Sequence, residues 1–383
     1  EISACLVGSE MCIRDRVYHQ LGETPRVYGL QEAYTRFFAD LDEGQQLIRE
    51  YLDEGGDNNK FKEYDMLTNG KTLKEWLKFA NSLRLRLAMR ISNVDATLAK
   101  DQATKALNDN QGVLEGARET IAVMGKNYIN PLCAVAGWGE VYMNASMESI
   151  VNGYEDPRGK KWYNTALLEG YQKQLLGIPI GLPMKDGDAN IYSSCSSLNT
   201  STIGEKTGAV LMSAAEVWLL RAEAALRGYT KENPRTCYEY GVSTSFTQWD
   251  CAGASEYLES DKTPADYKDV VSGGKVGKDM KALITISPKW EEDADIETKL
   301  EKIITQKWLA CWPESYEAWA EQRRTGYPKL IPTNYSGSMS PGVIPTRLPY
   351  PTDEYSINRA NVDTANQQQG ADKVTTHIWW DID

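Results

Sequence analysis

Apolar positions recur at helical spacing in several blocks of the chain and lose that spacing in two long stretches between them. From Gln31 to Leu52, Tyr34, Phe37, Phe38, Leu41, Ile48 and Tyr51 share one face, which predicts an amphipathic helix that Gly44 interrupts only mildly. From Thr72 to Ser92, Leu73, Trp76, Leu77, Ala80, Leu83, Leu87 and Ile91 form a stripe. Leu85, Ala88 and Met89 widen it, so this helix is covered on more than one side. A further helix is predicted from Asp95 to Asn108, ending at the turn Asn110–Gly112. Ser213 to Arg227 starts with a capping serine three residues before Glu216 and stops at Gly228. It is apolar almost all round and is expected at the centre of the molecule. A shorter helix follows from Thr236 to Trp249. Glu292 to Trp312 is helical until Pro313, and Ser315 is expected to cap a partner helix, Tyr316 to Arg324, closed by Gly326 and Pro328. Two helices joined this tightly make an αα-hairpin.

The periodicity fades between residues 113 and 208, where Asn130-Pro131, Asp156-Pro157-Arg158, the GIPIGLP run (Gly177–Pro183) and a Ser/Thr/Asn run (Ser193–Thr202) crowd together. Nearly a hundred residues is too long for a structureless connection, so short strands and ordered, function-bearing loops are expected there. The reading is a mainly α chain of stacked hairpins with loop-rich insertions and minor short strands. Its segments are 17–112 helical, 113–208 a loop-rich insertion, 209–249 helical, 250–289 a second insertion, 290–328 a helical hairpin and 329–383 irregular.

A net charge of −12 argues against binding nucleic acid, which needs clustered Lys and Arg. No stretch approaches the roughly 20 apolar residues that span a bilayer. Only His19 and His377 are present, so a histidine-rich metal site is excluded. Cys133, Cys195, Cys237, Cys251 and Cys311 show no metal-ligand spacing; Cys237 and Cys251 either pair or, as the commoner case, stay as buried thiols. Glu1–Arg16 (EISACLVGSEMCIRDR) has neither the basic start nor the apolar core of a signal peptide. It resembles a translated sequencing-adapter read-through, so it is expected to be a non-native, poorly ordered leader. The native chain would then begin near Val17, with an upstream segment missing and neither Cys5 nor Cys12 a lipidation site.

Eleven Trp and 21 Tyr stand against five Phe, a bias toward side chains with a flat apolar face and a polar tip. The charged motifs read as structure rather than catalysis. Arg84, Arg86 and Arg90 are expected to pair with acidic neighbours, and Glu216 and Glu223 with Arg221 or with another helix, although two acids on one face also suit general acid/base work. In AWAEQRRTGYP, Arg323 and Arg324 suit a helix C-terminus and can fork to carboxylates. Asp156-Pro157-Arg158 reads as a pinned turn, and the acidic run Glu291–Glu301 as a solvated face without calcium-loop spacing.

Eight segments in order resemble the SusD/RagB family: WLKFANSLRLRLAMRIS (Trp76–Ser92), NGYEDPR (Asn152–Arg158), GIPIG (Gly177–Gly181), MSAAEVWLLRAEAALRG (Met212–Gly228), IITQKW (Ile303–Trp308), EAWAEQRRTGYPKLIP (Glu317–Pro332), RLPYPTDEYSIN (Arg347–Asn358) and the terminal WWD (Trp379–Asp381). The resemblance covers nearly everything after residue 17. It implies one SusD-like domain over 17–383, built of tetratricopeptide-like helical hairpins. It also implies a non-catalytic lipoprotein of the outer-membrane surface, held by a lipid anchor absent from this fragment. Such a protein captures oligosaccharides, or peptides in some members, for a TonB-dependent (SusC-like) transporter, with no cofactor and no metal. Capture needs aromatic platforms with hydrogen-bonding neighbours. The candidates are Trp138, Tyr142, Tyr154, Trp162, Tyr163 and Tyr192 in the first insertion, flanked by Asn144, Asn152, Asp186 and Asn190, then Trp249, with Tyr257 a lesser one. A helical glycoside hydrolase, needing two carboxylates across a cleft, and a helical-repeat scaffold are the rival classes.

Overall fold

The computed structural model describes residues 29–382 apart from Asn69, Lys126, 183–189 and 334–339. The leader, Cys5, Cys12, His19 and Asp186 lie outside the described residues. The chain is mainly helical, as the periodicity predicts. Helices α1 (Leu30–Asp53), α2 (Leu73–Arg90) and α3 (Ala96–Leu107) come first. α2 opens on a reciprocal capping box: the Glu75 N–H donates to the Thr72 hydroxyl at 3.2 Å, and the Thr72 N–H donates to the Glu75 carboxylate at 2.8 Å. Helices α4 (Pro131–Ala136), α5 (Ala145–Gly153) and α6 (Gly159–Trp162) lie in the first insertion. They are followed by α7 (Ala214–Leu226), α8 (Pro234–Gln248), α9 (Ala254–Leu258), α10 (Ile296–Ala310), α11 (Ser315–Thr325), α12 (Thr352–Ile357) and α13 (Arg359–Gln369).

Three differences from the sequence reading have local causes. α11 is capped by Glu314, whose carboxylate accepts the Glu317 N–H at 2.9 Å, so Ser315 is already inside the helix. α5 occupies a stretch read as aperiodic, because seven of its nine residues are buried and no polar face marks it. The C-terminal segment is less irregular than its composition: α12 and α13 form from polar sequence, with only Val362 and Ala365 of α13 buried.

Strands β1 (Ile121–Val123) and β2 (Ala209–Met212) pair antiparallel, with Ile121 opposite Met212 and Val123 opposite Ala209. The first insertion therefore leaves and re-enters the helical body through one short ribbon. α7 is the central helix. Ala215, Leu219 and Ala222 face one core with α5, α8 and α10, while Ala214, Val217, Leu220 and Ala224 face another with α2 and α3. Its all-round apolar pattern thus has a cause on each side.

A buried ionic layer ties four helices together. Arg86 of α2 forks to Glu216 of α7 at 2.7 and 2.6 Å, and Arg90 donates to Glu317 of α11 at 2.6 Å. Lys307 of α10 donates to Glu317 at 2.8 Å, and Arg324 of α11 forks to Glu223 of α7 at 2.8 and 2.7 Å. The helical motifs that look catalytic are this layer. Arg221 instead pairs near the surface with Glu115 and Glu232, so it is not the partner of the buried acids. The five described cysteines are all free.

Candidate functional site

The first insertion folds back on itself through backbone pairing. Asn130 caps α4 and donates its amide to the Thr207 carbonyl at 3.0 Å, while its own N–H reaches the Glu205 carbonyl at 2.8 Å. Downstream, Tyr142 pairs with Ser197 and Asn144 with Ile178. The segment carrying Trp138 is thus pinned at both ends, chiefly to residues 197–207. The Tyr142 hydroxyl donates to the Gly139 carbonyl at 2.8 Å and closes the turn beneath Trp138. Trp138 itself is 70 % exposed. A large indole held on a braced turn, with its ring open to water, is a platform on which a flat apolar ligand face can stack.

Further exposed apolar side chains lie on the chain before α4. The Met124 N–H donates to the Leu67 carbonyl at 2.9 Å, which draws the loop of Tyr64 and Met66 beside the chain that leads to α4. Tyr64, Met66, Met124 and Ile129 are all exposed. The sequence reading passed over them because isolated apolar residues in polar loops carry no periodicity.

The other candidates sit elsewhere and correct the expectation. Tyr154, Trp162, Tyr163 and Tyr192 are buried, and their rings are covered by protein. Trp162 stacks on Trp312 with ring centres 5.1 Å apart, and Trp249, half-buried, meets both edge-on. Tyr163 accepts a hydrogen bond from the Trp312 indole at 3.1 Å. Trp312 completes this cluster and was not a candidate, since its place at a helix end before Pro313 reads as punctuation. Tyr154 donates to the Ile286 carbonyl at 3.0 Å, and Tyr257 accepts from Gln306 at 2.8 Å. Tyr192 donates to Asp269 at 3.1 Å. Burial raises the pKa of each of these phenols. Asn144 caps α5, Asn152 donates to the Leu175 carbonyl and Asn190 accepts the Tyr192 N–H, so these amides are structural. Of the aromatic set, Trp138 and Tyr142 share one surface, and Trp249 belongs with the Trp162–Trp312 cluster.

The two acids of α7 that could suit hydrolysis are buried rather than set on an open cleft. Glu216 and Glu223 are consumed by Arg86 and Arg324. A cavity of about 930 Å³ lies between the ends of α2, α7 and α11 and the start of α10. Its acids are Glu297, which accepts from Tyr327 at 2.8 Å, and Asp381, which pairs with His377 at 3.2 Å. Among the described residues no group of three or more His, Cys, Asp or Glu is placed to hold a metal ion, and no helix is long and apolar enough to cross a membrane.

The described residues thus form a stacked-helix body whose loops present exposed aromatic and thioether side chains. The chain belongs to the SusD-like family of SusD and RagB outer-membrane lipoproteins, whose model matches residues 17–381. That membership places the protein at the outer membrane. Its structure is similar to a SusD homologue from Bacteroides vulgatus, with a TM-score of 0.88 and 49 % identity over 92 % of this chain and 71 % of that one. A chitin-binding SusD homologue from Flavobacterium johnsoniae gives 0.87 and 34 % identity over 94 % and 74 % of the two chains. A SusD-like protein from Bacteroides thetaiotaomicron gives 0.85 and 32 % over 94 % and 75 %. No curated protein matches the chain in sequence.

Proposed function

We propose that the protein captures oligosaccharides at the cell surface on the Trp138 face and passes them unaltered to a TonB-dependent transporter. The observation that carries this reading is the 70 % exposure of Trp138 on a turn braced by Tyr142. An indole in that setting offers its flat apolar face to a ligand, and sugar C–H faces are suited to such a ring. The chitin-binding relative from Flavobacterium johnsoniae supports a glycan as the ligand and makes chito-oligosaccharides the first probe. The engagement of the buried helical carboxylates by arginine and lysine supports capture without turnover.

The test is calorimetric titration with chito-oligosaccharides and a panel of other glycans and peptides, alongside an assay for released reducing ends. Saturable glycan binding is expected, weakened roughly five- to thirtyfold by Trp138→Ala at unchanged melting temperature, since one lost stacking contact is worth roughly 1–2 kcal/mol. Binding of peptides alone would move the ligand class. Reducing-end release would replace capture with hydrolysis, and unchanged affinity in the variant would move the site.

A further inference from the structure

Helix α5 is the joint between the two loop-rich insertions. At its start it is stitched to the GIPIG segment: the Ala145 N–H donates to the Ile178 carbonyl at 3.0 Å, and the Ile178 N–H to the Met143 carbonyl at 2.8 Å. At its end it meets the second insertion, where Ser149 and Ala265 exchange hydrogen bonds of 2.5 and 2.9 Å. Both contacts are too close for a side chain. A Cβ on Gly177 would lie 2.4 Å from the Asn144 carbonyl oxygen, and one on Gly153 would lie 2.2 Å from the Ala265 nitrogen.

Glu148 stands midway along this joint, 8 % exposed, and its carboxylate accepts the Gly177 N–H at 2.5 Å. The Gly177 carbonyl in turn accepts from the Tyr267 hydroxyl of the second insertion at 3.2 Å and from the Cys195 thiol at 3.8 Å. Across from it lies a second buried carboxylate, Asp269, held by Tyr192 and by the Ser272 N–H, each at 3.1 Å. Lys268, the nearest lysine in sequence, spends its charge on exposed Asp279 at 2.8 Å. Two buried acids therefore face one joint, and among the described residues no cation pairs with Glu148. That is unlike Glu216, Glu223, Glu317 and Glu321 of the helical layer, each of which has a guanidinium or ammonium partner.

We propose that Glu148 is a proton-controlled latch between the two insertions, holding the Gly177 segment on α5 when uncharged and loosening it when ionised. Burial, opposed by the Gly177 N–H and reinforced by Asp269, holds the Glu148 carboxyl up at about 7. The thiol of Cys195 and the phenols of Tyr192 and Tyr267 are raised and stay neutral across this range. Among the described residues, the charge that faces Glu148 is thus Asp269, whose own N–H donates to Asp279 of the Asp279–Lys268 pair. The folded group binds its proton more tightly than the open one, so the latch is fully engaged below the ordinary value of 4.5. It weakens as pH rises toward about 7 and changes no further above that.

The readout is hydrogen exchange at the Gly177 amide in the intact chain, corrected for intrinsic rate, from about pH 5 to pH 8. Protection is expected to fall by up to about tenfold per pH unit and to level off near neutrality. Glu148→Gln, which keeps the acceptor oxygen and loses the charge, is expected to give a flat profile. Asp269→Asn retains Glu148 and is expected to move the levelling point to lower pH. A flat wild-type profile, a Glu148→Gln profile that falls like the wild type, or an unmoved levelling point in Asp269→Asn would each overturn the latch.

Discussion

Arg324 and Arg323 are neighbours in sequence with opposite fates. Arg324 is fully buried with its fork on Glu223 and a further contact to Glu321 at 2.5 Å, so its charge is matched from two helices. Replacing it by Met leaves two buried carboxylates short of a partner, and a loss of about 3–5 kcal/mol is expected, read from the urea midpoint. Glu321 retains Arg90 and Lys307. Adding Glu223→Leu to Arg324→Met should therefore recover part of the loss, because it removes the acid with the least remaining compensation. Arg323 instead lies over the rings of Trp319 and Trp380, 3.8 and 4.8 Å from their centres, and burial with nearby Arg90 lowers it to about 9. The sequence placed both arginines at a helix end near carboxylates, which is correct for one. What separates them is the side of α11 each leaves from and what the C-terminal Trp380 brings against it. Neither is encoded locally. The same limit governs the site: a Trp in a loop-rich stretch is visible in the sequence, but Trp138 open to water and Trp162 at zero exposure are distinguished only by the tertiary packing.

At the scale of elements, two glycines in helices make a paired test of packing against propensity. Gly44 lies exposed in α1, with nothing within 4 Å of where a Cβ would stand. Gly44→Ala is expected to stabilise the protein by about 0.5–1 kcal/mol, the ordinary helix preference. Gly241 lies in α8 against α7, where the same Cβ would meet Leu219 Cγ at 2.6 Å and the Ala215 carbonyl at 3.3 Å. Gly241→Ala is expected to destabilise by about 1–3 kcal/mol despite the better propensity, because the two helix backbones must separate. Thermal unfolding of both variants checks the pair; a gain at Gly241 would mean that the α7–α8 contact is looser than this geometry. Helices marked by an apolar stripe, such as α1 and α2, or by a capping side chain at the start, such as α3 and α7, were legible with their ends placed to within a residue or two. α5 was not, since its nine residues are too few for an all-round buried pattern to stand out, and neither were α12 and α13, which are polar with only Val362 and Ala365 buried. Periodicity reports how a segment divides core from solvent. Segments that make no such division are silent to it.

Across the whole molecule, two sets of buried acids pull stability in opposite directions with pH. Glu321 is held down to about 2 by Arg324, Lys307 and Arg90 against its burial, and Glu317 and Glu223 are lowered by their own cations. A lowered folded value contributes stability that is complete above the unfolded range and lost as pH falls from about 4.5 toward 2. Glu148 and Glu314 are raised to about 7, each mainly by burial, and their contribution is complete below about 4.5 and lost as pH rises to about 7. Both sets are satisfied together only on the acid side of neutrality. Urea midpoints are therefore expected to be higher near pH 5 than at either pH 3 or pH 8, with differences of a few kcal/mol. The net charge of −12 acts in the same sense on the alkaline limb, because deprotonation adds to a self-repulsion already present. The double variant Glu148→Gln/Glu314→Gln separates these causes: it should flatten the fall from pH 5 to pH 8 and leave the acid limb intact. A midpoint at pH 8 above that at pH 5 in the unaltered protein would mean that neither acid carries its proton in the fold. Loss of both limbs in the variant would mean that the helical layer and the α5 joint are one cooperative unit rather than two.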